Sequence, residues 1–246
     1  EYVDSGAFFS YATRGCIRRC PFCAVPTLEP NFQPYLPLKE RIDRTRRLYG
    51  DQQNLLLMDN NVLASDKLSE IIADIRSCGF VPGAKFIEPN QYMIAIRNLR
   101  LGLNDRAYIR KGWKLLKQLN DWKHLDKETR THIYRLREQN GLLSVLTCTK
   151  EALIGTYKDF AMYFDQKYAR RKGRLRFVDF NQGVDARLFN EEKVGLLSQI
   201  PVRPLRIAFD DIKTESFYTK ALHLSVDNGI KDFSNYLLYN FKDHPI

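Results

Sequence analysis

Residues 12–26, ATRGCIRRCPFCAVP, place Cys16, Cys20 and Cys23 within eight positions of a chain that has five cysteines in all. The stretch is a loop by its Gly15, Pro21 and Pro26, and it directly follows a short apolar run at residues 7–11 that reads as a buried strand. Three thiols on one loop can converge on a single inorganic centre. Zinc would want four protein ligands, or three and a water, usually with histidine nearby. The four histidines, His124, His132, His223 and His244, lie at least 100 residues further along. An iron–sulfur cluster is the other thiolate-rich option. Held by three cysteines, it leaves one iron free for an exogenous chelate. Two plainer readings stand beside these: three buried cysteines without metal, and a zinc knuckle completed by Cys78 or Cys148.

Outward from the loop, the chain alternates strand and helix. Apolar runs at 54–58, 175–180, 205–209 and 235–239 have the look of buried parallel strands. Helical patterns separate most of them: 38–49 ending at Gly50, a helix capped by Ser65 and ending near Gly79, 191–199, and 214–228 with Gly229 behind it. Strand then helix, repeated, implies right-handed βαβ units and a parallel sheet. One segment breaks the rhythm. Residues 84–175 carry 20 Lys and Arg against 9 Asp and Glu, whereas the rest of the chain is close to neutral. Ile109, Trp113 and Leu116 share one helix face there. Leu153, Tyr157, Phe160, Phe164 and Tyr168 form a second apolar stripe that Gly173 would stop. We read it as a basic helical insertion on a βα core.

Composition narrows the class. With 44% hydrophobic and 28% charged residues the chain is an ordinary folded protein. No apolar stretch is long enough to span a membrane, and no signal peptide opens it. Five cysteines, three of them clustered, do not make a secreted disulfide framework, so a reducing cytoplasm is expected. The start at Glu1 and the stop at Ile246, after a strand-like run, read as a piece of something longer.

The cluster Cys16-Ile-Arg-Arg-Cys20-Pro-Phe-Cys23 resembles the signature of radical S-adenosylmethionine (radical SAM) enzymes, in which an aromatic residue precedes the last cysteine. The resemblance covers roughly residues 5–80 and 175–243. It implies a partial (β/α)6, TIM-like barrel of parallel strands, formed by residues 1–83 and 175–246, truncated at its end and interrupted by the insertion at 84–174. It implies a [4Fe-4S] cluster on Cys16, Cys20 and Cys23, with S-adenosyl-L-methionine chelating the fourth iron. One electron, from a donor such as flavodoxin or ferredoxin, then cleaves SAM to methionine and a 5′-deoxyadenosyl radical that abstracts a substrate hydrogen. Phe22 is expected near the adenine.

Where the family has a Gly-Gly-Glu-like stretch for the SAM amino group, this chain has Met58, Asp59, Asn60 and Asn61, so Asp59 and Asn60 are the expected contacts. Residues 181–187, NQGVDAR, resemble the Asn-Gln-Gly-x-Asp-x-Arg stretch of many radical SAM proteins. That implies Gln182 and Asp185 for ribose hydroxyls and Arg187 for a carboxylate. Asp210 and Asp211, then Tyr239, Asn240 and Phe241, fall at the ends of the fourth and fifth strands, which would face the site.

The basic insertion is open to more than one reading. Arg97, Arg100, Arg106, Arg110, Lys111, Lys114 and Lys117 are its densest run, with both tryptophans nearby. Such a surface suits RNA, an acidic substrate, a partner protein, or nothing beyond solvent. Cys23-Ala-Val-Pro26 is loosely similar to the Cys-x-Val-Pro of methylthiotransferases, which implies an RNA-modifying enzyme as one alternative. Those proteins carry a second three-cysteine cluster, and only Cys78 and Cys148 remain here. From a different class comes a non-catalytic nucleic-acid-binding module whose loop holds zinc. Cys148 reads as a buried hydrophobe before a catalytic thiol.

Overall fold

The computed structural model describes residues 4–238. Tyr239, Asn240 and Phe241 lie outside the described residues. In chain order the elements begin with β1 (Ala7–Ser10), α1 (Val25–Leu28), α2 (Lys39–Tyr49), β2 (Asn54–Leu57), α3 (Leu68–Ser77) and β3 (Lys85–Phe86). Five helices follow: α4 (Gln91–Arg100), α5 (Asp105–Asn120), α6 (Lys127–Gln139), α7 (Lys150–Gly155) and α8 (Tyr157–Ala169). The chain continues through β4 (Arg174–Leu175), β5 (Val178–Phe180), β6 (Val184–Asp185), α9 (Glu191–Leu197), β7 (Leu205–Phe209), α10 (Glu215–Asp227) and β8 (Phe233–Leu237). These residues divide into two compact units, one of 6–44, 52–86 and 174–238, the other of 4–5, 45–51 and 87–173.

The first unit is α/β with parallel strands. Leu55, Leu57, Phe8, Val178, Phe180, Leu205 and Ile207 are all fully buried, which is why the strands read as apolar runs. β1, β2 and β5 pair in parallel with Phe8 opposite Leu55 and Leu55 opposite Val178. β6, β7 and β8 form a second parallel sheet with Val184 opposite Ile207 and Ile207 opposite Asn235. A turn at 181–183 joins β5 to β6, and Val178 makes a parallel bridge with Val202. The turn requires Gly183, whose φ is +81° and whose added Cβ would sit 3.0 Å from the Tyr236 ring.

The expected strand at 175–180 is split. Arg174–Leu175 pairs antiparallel with Lys85–Phe86, and only Val178–Phe180 enters the parallel sheet. The buried Arg176 lies between them, its guanidinium donating to the Gln52 carbonyl and resting over the Phe80 and Phe86 rings. Ser65 stands just ahead of α3 rather than at its cap position, which Lys67 takes: the Ser65 hydroxyl donates to the Pro34 carbonyl and accepts from the Lys67 N–H at 2.9 Å.

The second unit is helical and is organised by aromatic packing. The Tyr92 and Phe164 rings stack at 4.2 Å between centroids, and Phe160 meets Tyr92 edge-on at 6.5 Å. Asn98, with no exposed surface, donates to the Leu48 carbonyl and the Tyr108 hydroxyl at 2.8 and 2.7 Å, so a polar group is buried without loss. The apolar stripe from Leu153 to Tyr168 is carried by two helices, not one. Thr156 turns its hydroxyl back onto the Ala152 carbonyl at 2.7 Å and separates α7 from α8. α8 stops at Ala169, before Gly173. Among the described residues no helix is long and apolar enough to cross a membrane.

Replacing Phe164 by Ala removes a fully buried ring from the Tyr92 stack and is expected to cost about 3–5 kcal/mol. Urea unfolding followed by tryptophan fluorescence reads this directly, since both tryptophans belong to this unit. A loss under about 1 kcal/mol would show that the stack does not organise it.

Candidate functional site

β1 and β2 run side by side, with Ser10 opposite Leu57, so their carboxyl ends release the chain at neighbouring points. Asp59, just beyond β2, fastens the loop that leaves β1. Its Oδ1 accepts from the Ala12 N–H at 2.9 Å, from the Thr13 hydroxyl at 2.7 Å and from the Thr13 N–H. Asp59 has no exposed surface, and its Oδ2 is buried without a partner among the described residues. Burial pushes its carboxyl up from 3.8 to about 6, against the pull of these donors and of Arg41.

A second carboxylate closes the loop. Glu29 accepts from the Gly15 N–H at 2.8 Å, from Asn60 Nδ2 at 2.9 Å and from the Arg14 guanidinium. Burial works to raise it, and those three donors outweigh burial and hold it below its ordinary value. Arg14 and Gln33 exchange both backbone hydrogen bonds at the loop's neck. Gly15 belongs there by necessity: its φ is +73°, and an added Cβ would lie 2.7 Å from the Asn31 carbonyl oxygen.

Inside this frame sit the three cysteines, all half-buried and none in a disulfide. Cys23 donates its N–H to the Cys20 carbonyl at 3.0 Å, which turns the chain tightly through Pro21 and Phe22. Cys16 Sγ accepts from the Arg18 N–H at 3.3 Å and from Asn61 Nδ2 at 3.5 Å. Burial pushes the Cys20 thiol up; Arg187 pulls it down, while Asp210, Cys16 and Cys23 add to the rise. Cys20 thus lies within electrostatic reach of both other thiols and of two strand ends. Even so, among the described residues no group of three or more His, Cys, Asp or Glu side chains is arranged to hold a metal ion. The donor set suits a thiolate-bound group by its chemistry: three free, partly accessible thiols on one loop. Their present side-chain arrangement does not amount to a closed ligand shell.

Ion pairs tie the loop to the second sheet. Asp185 at the end of β6 accepts from Arg187 Nε at 2.7 Å and Nη2 at 3.1 Å, and from Arg18 Nε at 2.9 Å. Burial works to raise the Asp185 carboxyl, and the two guanidinium groups override it. Asp210, past the end of β7, is raised by burial, with Arg187 opposing and Asp185 adding.

The structure therefore brings Cys16, Cys20, Asn60, Asn61, Asp185 and Arg187 around one loop. Both oxygens of Asp185 are engaged by arginines, and the Asn60 amide is engaged by Glu29. Gln182 is exposed on the turn before β6, and Phe22 is 39% exposed. Glu29 and Thr13 were not legible beforehand. Their partners lie 14 and 46 positions away, and no local pattern flags such contacts. Cys78 and Cys148 are buried, and burial pushes the Cys148 thiol up to about 11 against the pull of Arg137. That leaves it almost wholly a neutral thiol, in keeping with a packing role.

No family model, curated protein or solved structure matches the chain.

Asp59 also makes a pH signature. Because its folded pKa is raised, the folded state binds the extra proton, and stability from this group is present below about pH 4 and lost as pH rises through about 6. Measured by urea unfolding across that range, the wild type is expected to lose about 2–3 kcal/mol relative to Asp59→Asn. Parallel curves for the two proteins would show that Asp59 does not titrate there.

Proposed function

We propose that the chain is a radical SAM enzyme, built on a partial six-unit βα barrel into which the helical unit is inserted. One observation carries this reading: the three-cysteine loop leaves the carboxyl end of a parallel strand and is drawn, through Arg18 and Asp185, against Arg187 and the carboxyl end of another. Ligands of parallel α/β sheets sit at such ends. Cys16, Cys20 and Cys23 would hold a [4Fe-4S] cluster. When bound, the cluster and SAM supply one-electron cleavage of SAM and a 5′-deoxyadenosyl radical for hydrogen abstraction.

The protein's own residues bind and orient. Asp59 and Glu29 hold the loop backbone at Ala12, Thr13 and Gly15, so the thiols start from a fixed place. Arg187 opposes, without overcoming, the rise that burial imposes on the Cys20 thiol. Asp185 keeps that guanidinium oriented by two hydrogen bonds. Phe22 offers a ring face for the adenine, Gln182 an amide for a ribose hydroxyl, and Asp59 Oδ2 an acceptor for an ammonium. An electron donor such as flavodoxin or ferredoxin would reduce the site.

Anaerobic reconstitution with iron and sulfide tests the assignment. The loaded protein is expected to carry about four irons with inorganic sulfide per chain and, with dithionite and SAM, to release 5′-deoxyadenosine. Cys20→Ala is expected to do neither. One zinc without sulfide would instead support a structural metal knuckle, and equal release of 5′-deoxyadenosine from both proteins would sink the proposal.

A further inference from the structure

On α5, Arg106, Arg110, Trp113 and Lys117 recur at spacings of four, three and four, and so lie along one face, with Lys114 beside them. The four cations are exposed, and Trp113 is half-buried. From Arg106 to the end of α5 there is no acidic residue. Among the described residues Arg106, Arg110 and Lys114 have no ion pair or hydrogen bond. A face kept soluble for its own sake commonly alternates charge sign, because like charges four apart oppose the helix. Here Arg106, Arg110 and Lys114 repeat the same sign at that spacing.

Both indoles of this unit lie beside a cation, and one of them belongs to this face. Lys117 Nζ lies 5.8 Å from the Trp113 ring centroid, and the indole is anchored by its N–H to the Leu143 carbonyl at 3.1 Å. In the same unit Arg170 lies 5.8 Å from the Trp122 ring, which His124 meets edge-on at 5.4 Å.

From these observations we infer that the helical unit carries a docking surface for single-stranded RNA, centred on the Arg106–Lys117 face of α5. Four residues of helix advance about 6 Å along the axis, comparable to the step between successive phosphates on one strand. An acidic peptide or an anionic membrane would satisfy the charge as well; the indole, held in place beside Lys117, adds a flat ring on which a base can stack. A splayed base stacks on it, and splayed bases belong to single strands, chiefly of RNA. The inference stands on the helical unit alone and does not depend on the cysteine site.

The test uses the full chain and a fluorescein-labelled single-stranded RNA of mixed sequence. Anisotropy is expected to show binding that weakens steeply with salt, with quenching of the tryptophan fluorescence. The triple variant Arg106→Gln, Arg110→Gln, Lys114→Gln is expected to bind at least about tenfold more weakly and to lower the log–log salt slope by about 2. A control triple in the other unit, Lys213→Gln, Lys220→Gln, Lys231→Gln, removes the same charge and is expected to bind as wild type does. Equal loss in the control would reduce the effect to net charge and overturn the inference. So would a flat salt response, tighter binding to single-stranded DNA than to RNA, or binding to phosphatidylserine vesicles in the absence of RNA binding. Circular dichroism of each variant checks that the helices persist.

Discussion

A buried carboxylate that makes no ion pair among the described residues holds the functional loop in place. Asp59 gives one oxygen to three donors from Ala12 and Thr13 and leaves the other without a partner. An ionised carboxylate in that position is costly unless its environment compensates. The compensation comes from the loop itself, so the loop backbone and the end of β2 depend on each other. This works because β1 and β2 are parallel neighbours whose last residues, Ser10 and Leu57, are in register. Shifting that register by one residue would take Asp59 away from the two N–H groups it satisfies and turn the buried strand residues to the wrong face.

Asp185 plays the corresponding part on the second sheet. It is buried, yet two guanidinium groups keep it ionised. One of these, Arg18, comes from the cysteine loop, 167 positions away in sequence. Buried ion pairs of this kind add little net stability once desolvation is counted, and breaking one partner away is strongly unfavourable. Their consequence here is geometric: Arg187 is held near Cys20, where its charge opposes the effect of burial on the thiol. Asp210, raised by burial, is drawn down by the same Arg187 and pushed up by Asp185.

Much of the α/β unit was legible because its strands are short and mostly apolar, as at Leu55–Leu57 and Leu205–Phe209, with alternate residues fully buried. Where a single polar side chain intervened, the reading failed. Arg176 divides one expected strand in two by anchoring to the Gln52 carbonyl and lying over Phe80 and Phe86. Thr156 divides one expected helix in two by bonding its own backbone. Neither effect is visible in hydrophobic periodicity, which records which residues are apolar but not where a donor will find its acceptor.

The sequence by itself determined the alternation of parallel strands and helices, the basic helical segment and the clustering of Cys16, Cys20 and Cys23, because periodicity and spacing are local properties. Only the tertiary structure decided that Glu29 closes the loop on Gly15, that Asp59 is spent on loop backbone with one oxygen left over, and that Arg18 meets Asp185. Those contacts join residues 14 to 167 positions apart. Strand register and turn geometry bring them together, and no short stretch of sequence encodes either alone.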